Sequence, residues 1–212
     1  MKYIIKQYDA PLFAQWKALE NDDWKPSYND LSNPEKKELK ASLLKEQGYL
    51  CCYCNCRIND EQSHIEHFKP QCDYEALALD YNNLHASCLK EQSKDSPKHC
   101  GVAKENWFED GITISPLNTD CEQVFRYIDD GHVYPKNTEN HSQIFINKLN
   151  LNDSLLIKKR REAIAGWLSE DFILEATHQE IDKLNRYLEN KHNDKYEPFS
   201  IAIKQQLISL IL

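Results

Sequence analysis

The chain has 212 residues, 41% of them hydrophobic and 28% charged, with a formal net charge of −8. Such a composition suits a globular protein with one sizeable core, and five glycines and eight prolines leave little room for low-complexity linkers. No run of about 18 apolar residues could span a membrane, and no apolar secretory segment follows the N-terminal lysine, so a cytoplasmic protein is expected.

Residues 1–48 predict a helical lead-in. Asn33-Pro34 starts a helix, Leu39, Leu43 and Leu44 form its apolar face, and Gly48 stops it. Trp16, Leu19 and Trp24 are expected to pack as core. Residues 49–108 break the helical pattern: short runs around the cysteines and at 64–68 suit a twisted hairpin, and a helix can begin within 98–108. From 109 a polar loop region with Gly111, Pro116, Gly131 and Pro135 leads into helices. Asp153 caps one that runs to about Leu168. Thr177-His178-Gln179-Glu180 is a capping box for the next, continued by Ile181, Leu184 and Leu188 at helical spacing. Pro198 opens a last helix rich in apolar residues, among them Ile201, Leu207, Ile208, Ile211 and Leu212.

The eight cysteines are Cys51, Cys52, Cys54, Cys56, Cys72, Cys88, Cys100 and Cys121. A reducing compartment favours metal binding over disulfides. Cys51 and Cys54 form a Cys-x-x-Cys pair, which holds one zinc from a tight turn, and tetrahedral closure requires two more ligands. Cys88 and Cys100, flanking a polar insert, are the best candidates, with Cys52 and Cys56 as alternates. Cys72 and Cys121 read as buried thiols.

Between the two cysteine pairs lies His64-Ile65-Glu66-His67-Phe68-Lys69-Pro70. A carboxylate can hold a hard cation, and an adjacent imidazole can take a proton from an attacking water. That combination is what phosphodiester hydrolysis with a single metal requires. Asn83, in Tyr81-Asn82-Asn83-Leu84, can orient the imidazole through its other nitrogen. Alone, Glu66-His67 reads as a surface pair and Asn83 as a turn residue; their order between cysteine pairs makes the case.

Cys-x-x-Cys, Glu-His-x-x-Pro, Asn-Leu and a second cysteine pair followed by Lys104 together resemble the zinc-containing HNH endonucleases. The closer resemblance is to the PtuB-like nuclease subunits of Septu and retron-associated antiphage systems. It runs on through Cys121-Glu122-Gln123-Val124-Phe125-Arg126-Tyr127, Gly131, Leu149-Asn150-Leu151-Asn152 and Arg160 or Arg161. It implies an α+β chain with a small zinc-stabilised ββα-metal core at 49–108, set between helical segments at 1–48 and 109–212. It also implies catalytic Mg²⁺ or Mn²⁺, with Glu66 as ligand, His67 as general base and Asn83 orienting it. The third motif position falls on Gly101, which has no side chain to offer. His99 is the nearest replacement as a cation ligand, with His64 or water behind it.

The resemblance further implies a PtuA-type ATPase as partner, nucleic acid as substrate and, in the retron branch, a reverse transcriptase with its msDNA. The chain carries no Gly-x-x-x-x-Gly-Lys-Ser/Thr loop of its own. Residues 49–106 hold six basic against nine acidic side chains, an acidic module for a nucleic-acid enzyme, so a partner is expected to supply much of the grip. The segment 109–212, with its apolar last helix, is the expected partner surface. Lys158-Lys159-Arg160-Arg161 reads as a solvated basic face or a partner contact before a nucleic-acid contact. The competing functions are a non-catalytic zinc-ribbon module that binds nucleic acid and an adaptor for the ATPase.

Overall fold

Pro11 and Pro34 set the two helices of the N-terminal segment, α1 (Pro11–Lys17) and α2 (Glu35–Glu46). The computed structural model describes residues 1–8, 10–89, 97–137 and 140–209. Glu35 and Glu38 in the first turn of α2 and Lys45 in its last turn complement the helix dipole. Leu39, Leu43 and Leu44 are buried as expected. Gly48, at φ +59°, ends the helix against the ring of Tyr196, where a side chain would have no room. Trp16 is half-buried with its ring edge-on to Trp24 at 5.8 Å. Leu19 is 63% exposed and is not core.

The cysteine run forms a turn rather than a strand, with Asn55 at φ +62°. The expected hairpin instead pairs β1 (Ser63–His67) with β2 (Leu84–Cys88), antiparallel, in a register that sets His64 against Ser87 and Glu66 against His85. Side chains alternate across a strand, so His64 and Glu66 share one face with His85 and Ser87, and Ile65 and His67 share the other. Gln47, just past α2, edges β2 as a third strand would: its amide donates to the Ala86 carbonyl at 2.8 Å and accepts from the Ala86 N–H at 2.7 Å. Beside it the buried Glu46 carboxylate receives Lys6 Nζ at 2.7 Å and the Tyr81 hydroxyl at 3.0 Å. A single helical turn, α3 (Gly101–Lys104), follows β2 in sequence and packs against it.

A second hairpin, β3 (Phe125–Tyr127) with β4 (Val133–Pro135), lies where the sequence suggested only loop. Behind it come α4 (Asn140–Lys148), α5 (Ser154–Trp167), α6 (Glu170–Glu175), α7 (His178–Glu189) and α8 (Ser200–Ser209). Asp153 caps α5 through the Leu155 N–H at 3.0 Å, and Thr177 with Glu180 forms the capping box of α7. The basic run in α5 is not all solvated. Arg160 is 1% exposed, donates to the carbonyls of Gly131 and Leu151, and lies over the rings of Tyr127 and Phe199.

The final helix packs on α5, α7 and β3, burying Ile201 and Leu207 within the chain. The apolar face expected to meet a partner is therefore largely internal. Ile208 is 40% exposed, and Ile211 and Leu212 lie outside the described residues. The architecture is α+β, helices around two small sheets. Among the described residues no helix is long and apolar enough to cross a membrane.

Candidate active site and metal centre

The sulfurs of Cys51, Cys54, Cys88 and Cys100 converge from three places: the turn after α2, the end of β2 and the start of α3. All four side chains are buried, their donor atoms lie within 4.8 Å of one another, and they can hold a metal ion. Among the described residues no other group of three or more His, Cys, Asp or Glu does so. Cys54 Sγ and Cys88 Sγ are 3.9 Å apart, with no disulfide between them. Burial, followed by hydrogen bonds from Cys51, Cys54 and Cys88, drives the Cys100 thiol well above its ordinary range. Cys51 and Cys54 are driven the other way, well below that range, by hydrogen bonds from the neighbouring sulfurs; four thiolates this close would need a cation to coexist. Cys52 and Cys56 are also buried but lie outside the set, Cys121 is buried elsewhere, and Cys72 is exposed, contrary to expectation.

His99 lies against this centre without being one of its four donors. Its Nδ1 lies 3.5 Å from Cys88 Sγ and 3.3 Å from Cys100 Sγ. The imidazole that meets Glu66 is His64, whose Nε2 is 3.1 Å from Glu66 Oε2.

The Glu66 carboxylate is buried and divided in its contacts. Oε1 accepts from the Tyr53 hydroxyl at 3.1 Å and from Lys104 Nζ at 3.0 Å. Oε2 faces His64 and the bare Cα of Gly101. Burial alone would raise this carboxyl; the His64 hydrogen bond and the Lys104 charge outweigh it and hold the group below its usual value. Lys104 is itself 2% exposed and donates also to the His67 carbonyl at 3.0 Å. One ammonium thus ties the Glu66 side chain to the His67 main chain.

The His67 side chain lies across the strand from Glu66, its ring edge-on to Tyr28 at 4.4 Å between centroids. Its Nε2 is 3.1 Å from the Ala78 carbonyl. A carbonyl only accepts, so Nε2 carries the proton and Nδ1 keeps a free lone pair in the neutral ring. Burial lowers the His67 pKa from its ordinary value, the Ala78 hydrogen bond opposing it. Asn83 does not meet the imidazole in these contacts. Its Oδ1 accepts from the Lys69 N–H at 2.8 Å and its Nδ2 donates to the carbonyls of Lys69 and Leu77 at 3.0 and 3.1 Å. It braces the loop whose next residue, Ala78, presents the carbonyl to His67.

No family model matches the chain. A protein assigned as the HNH endonuclease of retron Vc95, from Vibrio cholerae serotype O1 biovar El Tor, is 30% identical over 170 residues, 76% of this chain and 78% of that one. The chain belongs to the PtuB-like HNH endonucleases of defence systems. The Septu protein PtuB of Bacillus thuringiensis is 34% identical over 61 residues, 28% of this chain and 24% of that one.

Three features of this PtuB-like site escaped sequence reasoning: Tyr53 and Lys104 as anchors of Glu66, and a fully buried His85 on the same face of the sheet. The lysine had a signal. A short lysine-bearing turn that starts at a buried cysteine is drawn toward the core with it, and a buried lysine needs an acid.

Proposed function

We propose that this chain is a metal-dependent endonuclease that cleaves phosphodiester bonds in nucleic acid, the effector of an antiphage complex governed by a PtuA-type ATPase. The observation that carries the reading is geometric: a buried Glu66 carboxylate anchored by Tyr53, Lys104 and His64, followed directly by a His67 ring whose Nε2 is tied to the Ala78 carbonyl. Glu66 is held charged by His64 and Lys104, while burial favours the neutral form of His67. β1, β2 and α3 follow one another in the order of a ββα-metal unit, in support of the assignment.

In this reading the four cysteines hold a structural zinc. Tetrahedral thiolate bonds of about 2.3 Å set sulfurs about 3.8 Å apart, and Cys54 and Cys88 are 3.9 Å apart. A catalytic Mg²⁺ or Mn²⁺ held at Glu66 supplies electrophilic activation of the scissile phosphate. His67 takes the proton of the attacking water at Nδ1, and Ala78 fixes that tautomer. Asn83 positions the loop that carries Ala78. Lys104 keeps Glu66 and the His67 backbone at a fixed spacing.

The net charge of −8 makes lone binding to a polyanion unfavourable. An ATPase partner with a basic channel overcomes that repulsion and decides when the site is open. The test is cleavage of single- and double-stranded DNA and RNA by the chain alone and with its ATPase, with and without ATP, each repeated with His67→Ala. Cleavage that needs His67 and changes with nucleotide is expected. Equal cleavage by wild type and His67→Ala, or nucleic-acid binding without cleavage, returns the function to a non-catalytic zinc module.

A further inference from the structure

We propose that His64 Nε2 and Glu66 Oε2 are the paired protein ligands of the catalytic cation, a mixed nitrogen–oxygen site that favours Mn²⁺ over Mg²⁺. The inference rests on the nuclease reading for the cation's purpose, but on the geometry of three residues for its place.

The first part of that geometry is the split in Glu66. Oε1 is occupied by Tyr53 and Lys104, which fix the carboxylate without covering Oε2. Among the described residues the side-chain hydrogen-bond partner of Oε2 is His64 Nε2, at 3.1 Å. Adjacent donors on an octahedral cation with bonds of about 2.1 Å are about 3.0 Å apart. The observed spacing therefore matches two neighbouring corners of such a site without rearrangement.

Gly101 supplies the second part. A Cβ built there would fall inside van der Waals contact with Oε2, 2.8 Å from Glu66 Cδ and 2.9 Å from His64 Nε2. His64 and a side chain at 101 thus compete for one volume. The strand residue occupies the space that the helix residue leaves, and it brings a donor into it. His64 reaches this point because the two-residue period of β1 puts it on the Glu66 face. His99 is turned into the cysteine centre and does not reach it.

The third part is access. The Glu66 side chain is 7% exposed and that of His64 28%, so the donor pair opens to solvent on the His64 side. Water and substrate phosphate can complete the coordination there, as is usual for cations held by few protein groups. Imidazole nitrogen adds affinity for transition metals and little for Mg²⁺, hence the stated preference.

The experiment is Mn²⁺ titration of the zinc-loaded full chain, followed by the electron paramagnetic resonance signal of free Mn²⁺, with Mg²⁺ as competitor. Wild type is expected to bind one Mn²⁺ and to release it only to a large excess of Mg²⁺. His64→Ala and Glu66→Gln are each expected to weaken Mn²⁺ binding at least about ten-fold; His64→Ala should leave zinc content and circular dichroism unchanged, whereas Glu66→Gln also strands the buried Lys104 charge, so His64→Ala carries the test. Gly101→Ala should weaken Mn²⁺ binding too, because its Cβ displaces both donors. Unchanged Mn²⁺ affinity in His64→Ala overturns the proposal. Should that variant fail to fold, anomalous scattering from Mn²⁺-soaked wild-type crystals decides: a peak between the two donor atoms supports the pair, and a peak elsewhere overturns it. Binding and cleavage fail separately. His64-dependent Mn²⁺ binding by a chain that cuts nothing keeps the ligand pair and discards the nuclease. Cleavage lost in His67→Ala, with Mn²⁺ binding indifferent to His64, does the reverse.

Discussion

Lys104 Nζ lies 3.0 Å from Glu66 Oε1, and the two side chains are 1% and 7% exposed. A buried pair of this kind contributes little net stability as a pair, because both charges have left water, but losing one partner strands the other. Lys104→Met should therefore cost about 3–5 kcal/mol in urea unfolding, and adding Glu66→Gln should restore much of it. A Lys104→Met variant within about 1 kcal/mol of wild type, the range of exposed pairs, would show that the contact is not made in solution.

The Ala78 hydrogen bond and the burial of His67 bear on how cleavage depends on pH. A base must be neutral to act, and a lowered pKa keeps it neutral further into acid. The acid limb of kcat/KM is thus expected to have its midpoint below about 6.5, the ordinary histidine value. His67→Ala should lower the rate roughly 10²–10⁴-fold and abolish that limb. An acid limb centred above the ordinary value would contradict the neutral, Nδ1-basic ring.

Elemental analysis of purified protein should find about one zinc per chain, lost in Cys88→Ser together with cooperative folding. Binding free energies on the order of 10–16 kcal/mol are typical of structural zinc in finger peptides, so chelation should unfold the region around the turn. Cys72→Ser is the control, since that thiol is exposed. Normal metal content in Cys88→Ser would remove it from the ligand set.

His85 is fully buried, with neither ring nitrogen hydrogen-bonded among the described residues. Burial, then the charges of Lys6 and Lys104, holds it well below the ordinary histidine value. Below about pH 6.5 the unfolded chain takes up a proton that the native chain refuses, so stability falls with pH by up to about 1.4 kcal/mol per unit. The loss continues until the native pKa is reached. His85→Leu should remove this component, flattening the acid side of the stability curve while costing little at pH 7. An unaltered slope in that variant would mean that His85 is protonated in the native chain.

Local chemistry was legible in the sequence, and cross-strand geometry was not. Cys51 and Cys54 could be read as a pair because their spacing alone closes a turn, and Asp153 and Thr177 because caps act within three residues. Which imidazole meets Glu66 depends on alternation along β1 and on the direction in which the chain leaves β2. Distance in sequence to the motif therefore pointed to His99, and the strand delivers His64. The β3–β4 hairpin stayed hidden because strands of three residues carry no readable period. Arg160 looked like part of a solvated basic run; only the fold reveals the carbonyls of Gly131 and Leu151 waiting for it.

The cysteine turn is braced from far along the chain. The Asn55 carbonyl accepts from the Phe199 N–H at 3.1 Å, and Arg57 donates to the carbonyl of Tyr196, 139 residues away. During synthesis at roughly 5–20 residues per second, all four sulfur ligands leave the ribosome well before either brace exists. For several seconds the nascent polypeptide owns the cysteine turn but lacks the segment that pins it to α8. The cysteine turn gains these braces only after translation has passed residue 199, so a truncated product carries the four cysteines without that support.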